Sequence, residues 1–217
     1  MTNFAARRTI MVDTQVRPSD VTKFPIIEAM LAVPREAFVP AEKREAAYMG
    51  ENLSIGPRRV MLEPRTLAKI LDALNIQPSE RVLDVGAGLG YSSAVIAHLA
   101  GSVVALEESA ELADAAELGL AAHAVQNLAL VRGPLAAGAP DHGPYDVILL
   151  QGAAEEVPAC LLEQMTEGGR IGAVFMEGAL GSCRIGYWRD GRVSWRFAFN
   201  AGAPVLPGFE KRHTFTL

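Results

Sequence analysis

Cysteine is scarce, with only Cys160 and Cys183 in 217 residues. Two cysteines so far apart cannot build a disulfide framework or a paired-cysteine metal site, and both are expected as buried thiols in a reducing cytoplasm. No run approaches the ~18 apolar residues of a membrane span. The opening MTNFAARRTIMVD lacks the apolar core of about 7–15 residues and the small-residue cleavage site of a signal peptide. The expected setting is therefore cytoplasmic, with no membrane partner. The four histidines show no metal-ligand spacing, His98 falling within a helix and His123 just beyond one, so no metal site is expected. A positive excess is also missing: the formal charge of −5 argues against nucleic acid as a partner. There is no internal repeat, and nothing in the chain indicates an oligomeric state.

What is present is a globular composition, half hydrophobic and about one-fifth charged. The length suits one domain with an appended lobe. Charge is divided unevenly, +2 over residues 1–65 and −7 over 66–217. That contrast supports an N-terminal lobe distinct from a core.

The core is organised around RVLDVGAGLGYSSAVIAHL, residues 81–99. Arg81 to Val85 reads as a short buried strand and Tyr91 to Ala100 as the helix that follows. Gly86, Gly88 and Gly90 between them let the chain turn sharply and leave no side chain above the strand end. Their Gly-x-Gly-x-Gly spacing departs from the dinucleotide fingerprint, whose third glycine falls one residue later. Asp84, two places before the first glycine, can hold a cationic or hydroxyl-bearing group, which suits the amino acid part of S-adenosylmethionine better than a pyrophosphate. A second strand, Ser102 to Leu106, closes on Glu107, about 20 residues after the glycine turn, where such folds grip a ribose diol.

Upstream, Met11 to Pro18 is polar and is expected as an arm against the core. Pro25 suits the first turn of a helix to about Leu31, and Ala41 to Tyr48 can form a short charged helix. Gly50 to Pro64 holds two glycines and two prolines without a clean period and is expected as an irregular loop. Arg65 to Leu74 has helical spacing. Downstream, a helix over 110–122, a strand over 129–131, a continuous apolar strand from Tyr145 to Leu150, a helix from Pro158 to Met165 and a strand from Arg170 to Val174 are expected. Asp190-Gly191, flanked by Arg184 to Trp188 and Arg192 to Phe199, is a strong hairpin signal. Together these predict an α/β protein with a Rossmann-like class I methyltransferase sheet, mostly parallel with a C-terminal antiparallel hairpin, and a small N-terminal helical lobe.

The chain resembles the protein-L-isoaspartate O-methyltransferase family. The resemblance is carried by AMLAVPREAFVP (29–40), AYMGENLSIG (47–56), VLDVGAGLGYSSAVIAHLA (82–100), VVALE (103–107) and the stretch from Pro144 to Ile171. It implies a cytosolic enzyme that uses S-adenosylmethionine, releasing S-adenosylhomocysteine, to methylate the side carboxylate of isoaspartyl residues in damaged proteins. Residues 1–65 would then supply the arm, helical lobe and substrate-side loop, and 66–217 the cofactor-binding core. It further implies that Asp84, Gly86 and Gly88 hold the methionine end, that Glu107 holds the ribose, and that Tyr91 and Ser92 flank the cofactor.

Two positions depart from the family. Where its active-site loop reads Thr-Ile-Ser-Gln-Pro, this chain has Val60-Met61-Leu62-Glu63-Pro64. Leu62 cannot donate a hydrogen bond, and Glu63 is expected to bring negative charge near an anionic acceptor. Like charges ~4 Å apart repel by about 4 kcal/mol at an effective dielectric of ~20. Where the family has Gly-Asp-Gly, with the aspartate receiving the adenine amino group, this chain has Gly133-Pro134-Leu135. Arg58 and Arg59 are the basic candidates for steering an anionic acceptor or offsetting Glu63, and Gln151 is a substrate-side candidate at a strand end. Ser109 and Ser182 lack any partner pattern for nucleophilic catalysis. The residues leave open a relative that methylates another, small-molecule acceptor, and a non-catalytic cofactor-binding protein.

Overall fold

A computed structural model describes residues 3–211. The central feature is a seven-stranded sheet of order β5-β4-β3-β6-β7-β8-β9. Its strands are β3 (Arg81–Val85), β4 (Ser102–Glu107), β5 (Leu128–Arg132), β6 (Tyr145–Ala154), β7 (Met165–Glu177), β8 (Leu180–Arg189) and β9 (Arg192–Asn200). The strands from β5 across to β7 pair in parallel. β7, β8 and β9 pair antiparallel, so the expected mixed sheet and C-terminal hairpin are present. A second hairpin, turning at Gly178 between β7 and β8, was not expected from the sequence.

Parallel strands are buried on both faces, so their residues alternate between two cores. Val82, Val147 and Leu149 point to one, and Leu83, Val85, Ile148 and Leu150 to the other. The first core is covered by α1 (Phe4–Met11), α2 (Phe24–Ala32), α3 (Pro64–Leu74), α4 (Tyr91–Ala97) and α5 (Ala110–Ala122). The second face is covered by α6 (Ala159–Leu162), short 3-10 turns and the segment after β9, through Leu206 and Phe209. Strand order reverses between β4-β3 and β3-β6, and ligands of open α/β sheets bind beyond the strand ends at such a switch point.

Two stretches before α3 differ from expectation. Residues 11–18 are not an arm. After α1 the chain continues through a π-helical turn, Val12–Val16, and a 3-10 turn, Arg17–Ser19, because Met11, Val12 and Val16 form an apolar stripe that is fully buried. Residues 50–64 are not irregular either. They form an antiparallel hairpin of β1 (Leu53–Gly56) and β2 (Arg59–Met61). Its turn has Pro57 followed by Arg58 at φ 55°, the proline-then-left-handed order of a type II turn, with arginine where glycine is usual. Cys160 is exposed and only Cys183 is buried, which corrects the expectation of two buried thiols. Among the described residues no helix is long and apolar enough to cross a membrane.

Candidate active site

The site lies over the carboxyl ends of β3, β4 and β6. After Val85 the chain bends back, Gly86 N–H and Ala87 N–H both donating to the Leu106 carbonyl of β4 at 2.9 and 3.1 Å. The bend needs positive φ at Gly86 (78°) and Gly88 (60°), and at Gly88 a Cβ would lie 2.6 Å from the Ile55 side chain of the hairpin. Glycine here therefore provides clearance, since the backbone N–H groups of Gly86 and Gly88 are already used within the chain.

Asp84 ends β3 and is wholly buried. Its Oδ2 accepts from Ser92 Oγ (2.7 Å) and Ser93 Oγ (2.5 Å) on the first turn of α4, and its Oδ1 from Gln151 Nε2 (2.7 Å) on β6. Burial pushes its pKa up, the Ser93, Ser92 and Gln151 donors pull it down, and the Glu107 charge adds to the rise; the net direction is upward. Asp84, Ser92 and Gln151 are thus one hydrogen-bonded unit. Gln151 turns its Nε2 to Asp84 while lining the small cavity beside Leu62.

Glu107 ends β4 and is also wholly buried. Arg59, on β2 and only 5 % exposed, meets it in a two-pronged ion pair, Nη1 to Oε1 and Nη2 to Oε2, both 2.7 Å. Gly88 N–H donates to Oε2 (2.8 Å) and Ser109 N–H to Oε1 (2.9 Å). Each oxygen thus accepts one charged and one backbone hydrogen bond, a geometry that can repay the cost of removing both ions from water. Arg59 thus pairs with Glu107 and not with Glu63, the charge it was a candidate to offset. Arg58 points the other way, its Nη2 donating to Glu210 Oε1 (2.7 Å) and the Val205 carbonyl (3.0 Å).

Leu62 and Tyr91 are buried beside Ser92 and Gln151. With Ile55, Val60, Met61, Leu67, Gly86, Ala87 and Leu89 they enclose about 10 Å³, the space of a single water. Arg35, fully buried, ties the hairpin down from below: its Nε donates to the Ala47 carbonyl (2.6 Å) and its Nη2 to the Leu62 carbonyl (2.8 Å). Its guanidinium sits 4.8 Å from the Tyr91 ring centre. Burial lowers the pKa of Arg35 and raises that of Tyr91.

Glu63 turns its carboxylate to the first turn of α3. Its Oε1 accepts from Thr66 Oγ1 (2.6 Å) and lies 3.8 Å from Arg65 Nη1, so its charge is spent at the start of α3, where the helix dipole favours it. The Glu63 charge is therefore met locally by Thr66 and Arg65.

The far wall is closed by two leucines. Leu135, from the turn after β5, and Leu206, from the segment after β9, are buried, and both lie 3.5 Å from where a Gly86 Cβ would stand. Val205 bridges Ala153 of β6, and Leu206 N–H donates to the Ala153 carbonyl (2.8 Å). Pro134 stands at the start of this turn, just before the buried Leu135. Ser93, Arg35 and Leu206 were not singled out from the sequence. Only Ser93, adjacent to Ser92 on the helix facing Asp84, carries a local signal.

Comparison with known proteins agrees with this architecture. The profile of the family described as protein-L-isoaspartate(D-aspartate) O-methyltransferase (PCMT) matches residues 8–175. Protein-L-isoaspartate O-methyltransferase 1 of Rhodopseudomonas palustris is 38% identical over 170 residues, 78% of this chain and 69% of that protein. The protein-L-isoaspartate O-methyltransferase of Methylorubrum populi is 40% identical over 166 residues, 76% and 78% of the two chains. Among solved structures, a beta-aspartate methyltransferase (PCMT) from Plasmodium falciparum in complex with S-adenosyl-L-homocysteine superposes with TM-score 0.79 at 18% identity, covering 95% of this chain and 99% of that one. Leu206 and Glu210 lie beyond the residues that the family profile matches.

Proposed function

Because this chain belongs to the protein-L-isoaspartate O-methyltransferase family, we propose that it methylates the side-chain carboxylate of isoaspartyl residues in peptides and proteins, using S-adenosylmethionine. The family match over residues 8–175 carries the reading, and the two buried carboxylates at the ends of β3 and β4 support it. The donor set suits the cofactor in kind: Glu107 is a carboxylate pre-oriented by two backbone N–H groups to receive a ribose diol, and the glycine bend clears a path beside it. Space over Gly86 is held by the chain's own Arg59, Leu135 and Leu206, so the cofactor must exchange with part of this packing.

S-adenosylmethionine supplies a methyl group on a sulfonium, which leaves as a neutral thioether. The acceptor carboxylate is ionised at neutral pH and needs no general base, so the chain's residues act by positioning. Gly86 and Gly88 give clearance for the methionine end, while Asp84, acting through Ser92 and Gln151, places negative charge beneath its amino group. Tyr91 and Leu62 wall the reacting centre and keep water from it. Position 62 has no hydroxyl to offer the acceptor, and the Glu63 N–H beside it is already given to Asn52 Oδ1 (2.9 Å). The two cysteines are free thiols, in keeping with a cytoplasmic protein.

The test is transfer of labelled methyl to an isoaspartyl peptide against the matching aspartyl peptide, with S-adenosylhomocysteine binding measured on the same sample. Transfer to the isoaspartyl peptide alone is expected. Bound product without transfer to either peptide would overturn the acceptor, and would direct attention to Leu62→Ser, which restores the hydroxyl.

A further inference from the structure

The guanidinium of Arg59 occupies the place where the ribose is expected, and it does so from a short two-stranded hairpin. We propose that the β1–β2 hairpin is an arginine latch: Arg59 and the cofactor ribose compete for Glu107, and the cofactor enters only when the hairpin tip swings away. The proposal rests on the cofactor reading above and adds a gate to it.

Three observations carry it. First, both oxygens of Glu107 are filled, each by one Arg59 N–H and one backbone N–H, at 2.7–2.9 Å. The backbone donors belong to Gly88 and Ser109 and stay with the strand ends, so Arg59 is the partner that a diol would have to replace. Second, Nη2 of Arg59 lies 3.2 Å from the position of a Gly86 Cβ, inside the clearance that glycine creates. Third, the hairpin is slight. Its strands have four and three residues with a register shift between Ser54 and Gly56, and a two-stranded hairpin is of marginal stability by itself. Its tip is clipped to the segment after β9 by Arg58 and Glu210, a pair about half exposed on both sides, and exposed pairs exchange readily with water. The latch is thus strongest at Glu107; the feet of the hairpin stay anchored by Arg35, while its outer part is held by exposed contacts, Arg58 to Glu210 and to the Val205 carbonyl and Lys43 to the Ser54 carbonyl.

A purely structural ion pair and a latch make opposite forecasts for removal of Arg59. If the pair only supports the fold, Arg59→Gln loosens the site and weakens binding. If Arg59 is a competitor, the same change tightens binding while lowering thermal stability. A latched state favoured ten to one reduces apparent affinity about tenfold, so that is the gain expected of Arg59→Gln.

The experiment is calorimetric titration of S-adenosylhomocysteine into wild type, Arg59→Gln and Arg59→Lys, with amide hydrogen exchange of residues 53–61 in wild type. Expected are about tenfold tighter binding by Arg59→Gln, an intermediate value for Arg59→Lys, which keeps the charge but loses the fork, and faster exchange in the wild-type hairpin once the ligand is bound. Should Arg59→Gln not fold, Arg59→Lys and the wild-type exchange still decide. Equal or weaker binding by the variants, with hairpin exchange unchanged, overturns the latch and leaves the cofactor reading standing. Folded wild type and variants that all fail to bind at millimolar ligand overturn both.

Discussion

β3 and β4 lie side by side and in register, Val85 opposite Leu106, and each delivers a wholly buried carboxylate to the site. The two are stabilised in opposite ways. Asp84 is surrounded by neutral donors, two hydroxyls and an amide, all from elements packed directly on β3. Glu107 is met by a full positive charge from a hairpin 48 residues earlier in the chain, with two backbone N–H groups beside it. Burial raises the pKa of Asp84, and its three neutral donors, which favour the ionised form, offset that rise only in part. A counter-charge neutralises directly, and because this one sits on a separate element it can also be withdrawn. One carboxylate is framework and the other is addressable.

The largest blow to this contrast is Glu107→Gln. It leaves Arg59 buried without its anion, and breaking such a pair costs about 3–5 kcal/mol, to be read as a lower urea midpoint. A loss under about 1 kcal/mol would show that the pair is not desolvated as described. Asp84→Asn comes next, at about 1–3 kcal/mol, since one acceptor oxygen is lost from a network of neutral donors.

The pH dependence of that second variant sharpens the comparison. Asp84 has a folded-state pKa above its unfolded value, so its contribution is fully present below the ordinary carboxylate range and is lost as pH rises through the raised folded value. Asparagine has no such loss. The deficit of Asp84→Asn relative to wild type should therefore shrink from acid to neutral pH, and a deficit that grows would mean that Asp84 is held ionised as firmly as a paired carboxylate. The smallest effect is expected of Arg58→Gly. It gives up an exposed ion pair contributing at most about 1 kcal/mol but relieves a left-handed backbone position of similar cost, so the melting temperature should move little in either direction.

The same division governs what could be read without coordinates. β3, α4, β4 and α5 were legible because their signals are local: a continuous apolar strand, a glycine bend, a helical period, an acid at the strand end. Asp84 and Glu107 were placed by that pattern at the ends of their strands. The hairpin was not legible, because its strands are only four and three residues long and its turn puts arginine where glycine would have announced it. Nor was the apolar stripe of Met11, Val12 and Val16, masked by polar neighbours. The contact between Arg59 and Glu107 leaves no trace in either local sequence. Arg59 reads as a surface cation and Glu107 as an open ligand, and only tertiary packing shows that they satisfy one another. Glu63 erred in the other direction, a worrying charge that the next turn of helix absorbs through Thr66 and Arg65.

Arg35 carries a further consequence. It binds the two feet of the hairpin through the carbonyls of Ala47 and Leu62, groups that any residue at those positions offers. An anchor that reads only backbone is indifferent to heredity at the anchored residue. Exchange of the side chain at position 62 therefore leaves these two hydrogen bonds in place, so that the chemistry there can change while its geometry stays put.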